Sequence, residues 1–324
     1  MNFDLTDTSR AWESRALALG RELAPDAPAA HVIAAAAPRG LLDPDADLIA
    51  VAVAVDAVAQ GSAAAAIAIA LHSVVLRACA SHPSRAALAH GERVGALALV
   101  TERPAAGRAT LTGKVSWVAP LTPGGIAVVG GTHEDETLAH AVDLDAAGVE
   151  AIPTETAALD GVLCGSLTLT GAPAVPLGPT RPVMATARIL LAAAGLGMGR
   201  RALREALQVA RGYNRTGAGG EQTVQGLLAD AATELDAATL LTWKAASARA
   251  LSLADASMAK LAATEGTQHA VARATQVVGG DSFKAGHILE RLARDVRALE
   301  LFGGRTETLR EAAAEELFGG TGRR

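Results

Sequence analysis

The stretch ELFGGRTETLR, Glu300 to Arg310, sets two carboxylates, Glu300 and Glu307, on either side of the paired glycines Gly303 and Gly304. A glutamate at such a place is the kind of group that accepts a proton from a bound substrate. Paired glycines leave the space they border free of side chains and let backbone approach a ligand closely. A second pair, Gly279 and Gly280, follows Gln276 in QVVGG, and ERLARD, Glu290 to Asp295, lies between the two pairs. Other chemistries are excluded by pattern. The eight histidines are dispersed without an H-E-x-x-H, which leaves no metal site. Cys79 and Cys164 lack C-x-x-C spacing and read as buried thiols in a reducing compartment. No G-x-S-x-G elbow is present, and GLGMGR, Gly195 to Arg200, lies within a helical pattern and follows no strand, so its small residues serve close helix packing.

These residues sit in a chain of 324, half hydrophobic but only 2% aromatic, so the core is built from Ala, Leu and Val in closely packed helices. The formal charge of -5 is modest and the basic residues are spread out, which excludes a nucleic-acid stripe. The start, MNFDLTDTSRAWESR, is acidic and has no apolar core of a signal peptide, and a cytoplasmic location is expected. The most apolar run, Leu48 to Leu71, is interrupted by Asp56, Gln60, Gly61 and Ser62, which predicts a buried helical hairpin rather than a membrane span.

Periodicity divides the chain into three parts. Residues 1–92 read as an N-terminal helical domain, with helices in RAWESRALALGREL, DADLIAVAVAVDAVA and AAAAIAIALHSVVLRACA. Residues 93–178 change to short apolar runs between turn residues, GALALVTE, ATLTGKVSWVA, GIAVVGG, AHAVDL and GSLTLTG, an antiparallel β-domain. Residues 179–324 return to long helical runs over 185–211, 222–254, 256–278 and 288–302, a four-helix bundle, with a last helix near 307–317.

Gln276, Gly279, Gly280, Glu290, Arg291, Leu292, Arg294 and Asp295 together resemble the C-terminal signature of the acyl-CoA dehydrogenases, a Q-x-x-G-G turn followed by an E-R-L-x-R-D helix and a Y-E-G-T loop. The resemblance runs through the whole C-terminal half. It continues more thinly in GALALVTE and LTGKVSWVA, which are similar to the family's A-x-T-E-P and N-G-x-K-x-W-I-T stretches. It implies helical domain, β-domain and four-helix bundle, with FAD bound across a subunit interface and an acyl-CoA thioester as substrate. An electron-transfer flavoprotein is the implied acceptor.

The family's usual base is the glutamate of Y-E-G, eight residues after the aspartate of R-D; here that position is Gly303. Some members carry it instead at the start of the first bundle helix, before an arginine, a slot that reads here as Thr180 followed by Arg181. By this resemblance both base positions are vacant, leaving Glu300, one helical turn before Gly303, and Glu307 as the nearest carboxylates; helix-surface roles account for both. The resemblance also divides the cofactor grip. Thr101 and Trp117 stand at flavin positions, but Ala119 replaces a threonine whose hydroxyl bonds the ring, and the P-G-A-G-S-D loop is reduced to RPAAG. Arg211, Gln276, Gly279 and Gly280 stand at the positions that reach the ADP portion of a neighbour's cofactor, a guanidinium fork being suited to phosphate oxygens.

The expectation is therefore a base-less subunit that supports FAD-dependent dehydrogenation beside a sister chain or in a homodimer. Two alternatives stay open: a self-sufficient flavin-dependent oxygenase or oxidase of the same fold, and a cofactor-free scaffold or binding protein.

Overall fold

A computed structural model of the chain describes residues 5–98, 104–107, 109–133, 136–213 and 222–319. Five helices come first: α1 (Asp7–Glu22), α2 (Ala29–Ala36), α3 (Leu48–Ala59), α4 (Ala63–Ala78) and α5 (Arg85–Ala89). The hydroxyls of Thr6 and Ser62 cap α1 and α4 by accepting from the Ser9 and Ala65 amides. The α3–α4 pair is the expected hairpin, buried along almost its whole length. Because its side chains are mainly alanine and valine, neighbouring backbones approach closely: a Cβ on Gly61 would lie 2.1 Å from the Gly20 carbonyl oxygen of α1.

The strands are β1 (Gly95–Ala98), β2 (Ala105–Ala106), β3 (Thr110–Ala119), β4 (Ile126–His133), β5 (Glu136–Asp143), β6 (Val149–Thr154) and β7 (Cys164–Pro179). The expected purely antiparallel pairing is not what forms. β1 and β2 each run parallel to β4, and the pairings β1–β4, β4–β5, β5–β7, β7–β3 and β3–β1 close into a ring. Closure hides strand edges that an open sheet of this size exposes. The sixteen residues of β7 make this possible, pairing with β3 and β6 in the first part and with β5 in the second.

The C-terminal part consists of α6 (Thr180–Tyr213), α7 (Gln222–Ala246), α8 (Leu253–Val278), a 3-10 turn (Gly279–Phe283), α9 (Ile288–Leu301) and α10 (Thr306–Leu317). GLGMGR is the packing seam of this bundle. Added Cβ atoms on Gly195, Gly197 and Gly199 would strike Leu299 of α9 at 2.9 Å, the Asp56 carbonyl of α3 at 2.1 Å and Leu235 of α7 at 2.5 Å. Three glycines thus let α6 touch three helices at once. α6 alone is long and apolar enough by composition to cross a membrane among the described helices, and 83% of the qualifying window is buried inside the protein. α6 and α8 run parallel, since Arg188 bonds Ser257 near their starts and Thr267 bonds Gly195 further along.

Candidate functional site

Strand β3 is interrupted between Val115 and Val118, and within that irregularity Trp117 takes a positive φ of 54°. An L-residue with a bulky side chain rarely adopts this conformation, and bulges re-aim side chains. The consequence is an indole that leaves the sheet, 46% exposed, and forms one wall of a groove of about 810 Å3. Leu301, Phe302 and Arg305 supply the facing wall, Arg294 and Arg297 of α9 line it further along, and Glu155 brings in a carboxylate from the loop after β6. Cys164 also borders the groove, but burial pushes its thiol up to about 11, so it is no nucleophile. An aromatic wall with a guanidinium rim suits a flat, polar ring system. Ala119, where a hydroxyl would be wanted, is fully buried and absent from the lining.

The turn after α9 decides what happens at Gly303. Its φ is 71° and that of Gly304 is 118°, values that only glycine adopts readily. The space beside Gly303 is filled rather than open: an added Cβ would meet Leu191 Cδ1 at 2.9 Å, Lys260 Cε at 3.7 Å and Arg188 Cγ at 3.9 Å. Arg188 Nε donates to the Gly303 carbonyl at 3.0 Å while its guanidinium also donates to Ser257 Oγ at 2.6 Å. Lys260 is 0% exposed, and its Nζ faces the carbonyls of Leu299 at 3.3 Å, Glu300 at 3.5 Å and Gly304 at 3.3 Å. Two cations therefore cap the exposed carbonyls at the end of α9, as the helix dipole favours. Burial, with repulsion from Arg188, lowers Lys260 to about 7; burial, with repulsion from Arg181, lowers Arg188 to about 10.

The other expected base position lies elsewhere. Thr180 and Arg181 start α6 beside β4, lining a cleft of about 350 Å3 that is closed on its far side by Thr308, Glu311 and Glu315 of α10. The α6 residues that touch Gly303 are Arg188 and Leu191, about two turns further along. Glu300 does not point into the groove. Its carboxylate receives Gln268 Nε2 at 3.0 Å, Arg297 at 3.1 Å and Thr306 Oγ1 at 3.3 Å. Glu307 is exposed and lines neither hollow. Sequence reasoning missed Arg188 and Lys260. Lys260 was detectable in principle, because it lies on the same face as the buried Ala256, Ala263 and Thr267 of α8.

The residues expected to serve a neighbour's cofactor gather at the opposite end of the bundle. Arg211 stands in the last turn of α6 and Gln276 near the end of α8, both exposed. A Cβ on Gly279 or Gly280 would meet nothing within 4 Å among the described residues. Phe283, 77% exposed, completes this open end. Eighteen residues of α8 separate Lys260 from Val278, about 27 Å of helix rise. Thr101 lies outside the described residues, as does Arg103 of the RPAAG stretch, whose Ala105–Ala106 form β2.

Comparison with known proteins matches residues 180–318 to the family described as acyl-CoA dehydrogenase, C-terminal domain. The mitochondrial short-chain specific acyl-CoA dehydrogenase of Bos taurus is 34% identical over 157 residues, 46% of this chain and 38% of that protein. Benzylmalonyl-CoA dehydrogenase of Aromatoleum aromaticum is 33% identical over 176 residues, 52% and 47% of the two chains. The 3-sulfinopropanoyl-CoA desulfinase of Paraburkholderia xenovorans is 36% identical over 100 residues, 30% and 26%. The matches thus span less than half the length of these relatives. Among solved structures, butyryl-CoA dehydrogenase from Megasphaera elsdenii superposes with a TM-score of 0.86 at 18% identity, covering 98% of this chain and 100% of the other. A variant of the Tcur3481-Tcur3483 steroid ACAD gives 0.81 at 22%, covering 98% and 97%. These superpositions establish a shared fold.

Proposed function

We propose, from the premise that this chain belongs to the acyl-CoA dehydrogenase family, that it is a flavoprotein subunit which supports α,β-dehydrogenation of an acyl-CoA thioester without supplying the base. The observation that carries this is the state of Gly303: the place where the family holds a carboxylate is packed by Leu191 and flanked by two buried cations. A sister chain then provides the proton acceptor.

FAD fits the residues present. The groove lined by Trp117 and Phe302 has an aromatic wall and, at about 810 Å3, the volume for the ring system, and Arg305 offers it a cationic partner. The open glycine pair with Arg211 and Gln276 suits the backbone and guanidinium contacts of a diphosphate on a neighbouring subunit. When bound, FAD supplies a hydride acceptor. This chain's part is to orient: Trp117 walls one side, the clamp of Arg188 and Lys260 fixes the turn that carries Phe302 and Arg305, and the buried α6–α8 packing behind it excludes water. An electron-transfer flavoprotein is the acceptor that fits this reading, and the cytoplasm the compartment.

The purified chain should be colourless and inactive toward acyl-CoA, and co-expression with a sister chain that carries the glutamate should yield a yellow, active complex. A yellow homomer that oxidises acyl-CoA unaided contradicts the reading. A second reading draws on Glu155, the one carboxylate lining the Trp117 groove among the described residues. There it serves as an unorthodox base in a self-sufficient flavoenzyme, in a family whose named relatives include a desulfinase. Glu155→Gln separates the two: activity of the complex is retained under the first and falls at least about a hundredfold under the second.

A further inference from the structure

Away from both glycine turns, a pocket of about 210 Å3 opens between the end of α1, the α3–α4 turn and the middle of α6. Three guanidinium groups line it, Arg21, Arg201 and Arg204, together with Gln60, Gly20 and Gly61, and no carboxylate is in the lining among the described residues. It shares Arg201 and Gly61 with a smaller hollow that also holds Arg291 of α9. Four arginines from three helices thus converge on one place.

Local structural duties account for some of this charge. Arg204 donates to the Gln60 side chain at the end of α3, and Arg21 sits in the last turn of α1, where cations are favoured. They do not account for Arg201. Its Nε is buried without a hydrogen-bond partner among the described residues, and the nearest carboxylate, Glu205, lies 3.6 Å from the other end of the guanidinium. Asp295, which borders the smaller hollow, is committed through Oδ1 to the Leu159 amide at 2.7 Å. A buried donor left unspent in a side chain that lines an arginine-rich cavity is an unusual feature in a folded protein.

We infer that this pocket is an oxyanion site that takes a phosphate group, with Arg201 as its central donor and Arg21 and Arg204 closing over it. The arginine fork matches phosphate oxygens in pairs, and the cavity has room for one such group with its waters. The phosphate is either free inorganic phosphate or the phosphate of a larger ester, and the two share the same contacts. The site stands independently of the flavin and base readings, because none of its residues lines the groove or the cleft.

Calorimetric titration of the full chain with inorganic phosphate, and separately with coenzyme A, tests this at ionic strength held constant with chloride. Binding of at least one of the two is expected, weakened about tenfold or more in Arg201→Gln and in Arg21→Gln. Arg21 is exposed, so its variant carries the test if Arg201→Gln does not fold. Coenzyme A binding tighter than phosphate, with the same sensitivity, assigns the site to an ester; phosphate binding alone assigns it to the free ion. Heats indistinguishable from chloride for both ligands, or affinities unchanged in both variants, overturn the proposal.

Discussion

Gly303 and Gly304 are hemmed in by Leu191, Lys260 and Arg188, whereas Gly279 and Gly280, about 27 Å away along the bundle, meet nothing within 4 Å among the described residues. The first pair is glycine because the turn needs positive φ at both positions and two buried cations need its carbonyls. At the second pair, Gly279 has a positive φ, yet room for side chains remains beside both glycines. Identical residues therefore mark a closed, self-satisfied turn at one end and an unfilled surface at the other. An end left open among the described residues is where a neighbour's ligand can enter.

The contrast can be broken in several ways. The largest effect is expected at the open end. Arg211→Ala combined with Gln276→Ala in the co-expressed complex should weaken flavin retention about a hundredfold, read by absorbance after dialysis, with unfolding free energy within about 0.5 kcal/mol of the parent. An undiminished flavin content removes the open end from the cofactor account. At the closed end, Gly303→Glu should cost about 1–2 kcal/mol in urea unfolding, since it forces a side chain onto a positive φ and into Leu191. The new carboxylate should be captured by Lys260 and Arg188, so the chain alone gains no acyl-CoA oxidation; gained activity means that the slot is reachable.

Lys260 sharpens the comparison through pH. Its amine titrates near 7 in the folded chain against 10.5 when free, so between those values the unfolded chain holds more protons and stability rises with pH. The stability of the parent relative to Lys260→Met should therefore climb from pH 7 to pH 10 and stay flat below about pH 6. A difference that falls with pH would show that the fold holds the amine as a favoured cation instead of pushing it toward neutrality, and would contradict this account. Gly280→Ala, the smallest change, should alter stability by no more than about 0.5 kcal/mol, because its Cβ enters open space.

Much of this was legible beforehand, for reasons that particular residues show. The five C-terminal helices follow from 3.6-residue periodicity and strong punctuation, as at Gly279 and Gly303. The predicted run over 222–254 overshoots because Ser247–Ser252 carry no glycine or proline to signal the break before the Ser252 cap of α8. Short α2 and β6 were missed: eight alanine-rich residues and six largely exposed ones carry too little pattern. Parallel pairing of β1 with β4 is a matter of topology, not of local sequence. At the site, Trp117 was singled out from its motif, but its re-aiming by a bulge was not legible. No α6 residue was predicted to pack on the turn, because ATARILLAAAG offers no feature that fixes the register of Arg188 and Leu191 against Gly303. Lys260 reads as a solvated lysine until its neighbours on the helix face are known to be buried.

The most direct test follows the proton. The chain, with FAD added and an acyl-CoA supplied in deuterated buffer, is monitored by NMR for exchange at the carbon beside the thioester. The account predicts no exchange above the rate in buffer alone, with exchange appearing only once the glutamate-bearing sister chain is present. Enzyme-level exchange by the single chain, abolished by removing one of its own carboxylates, contradicts it.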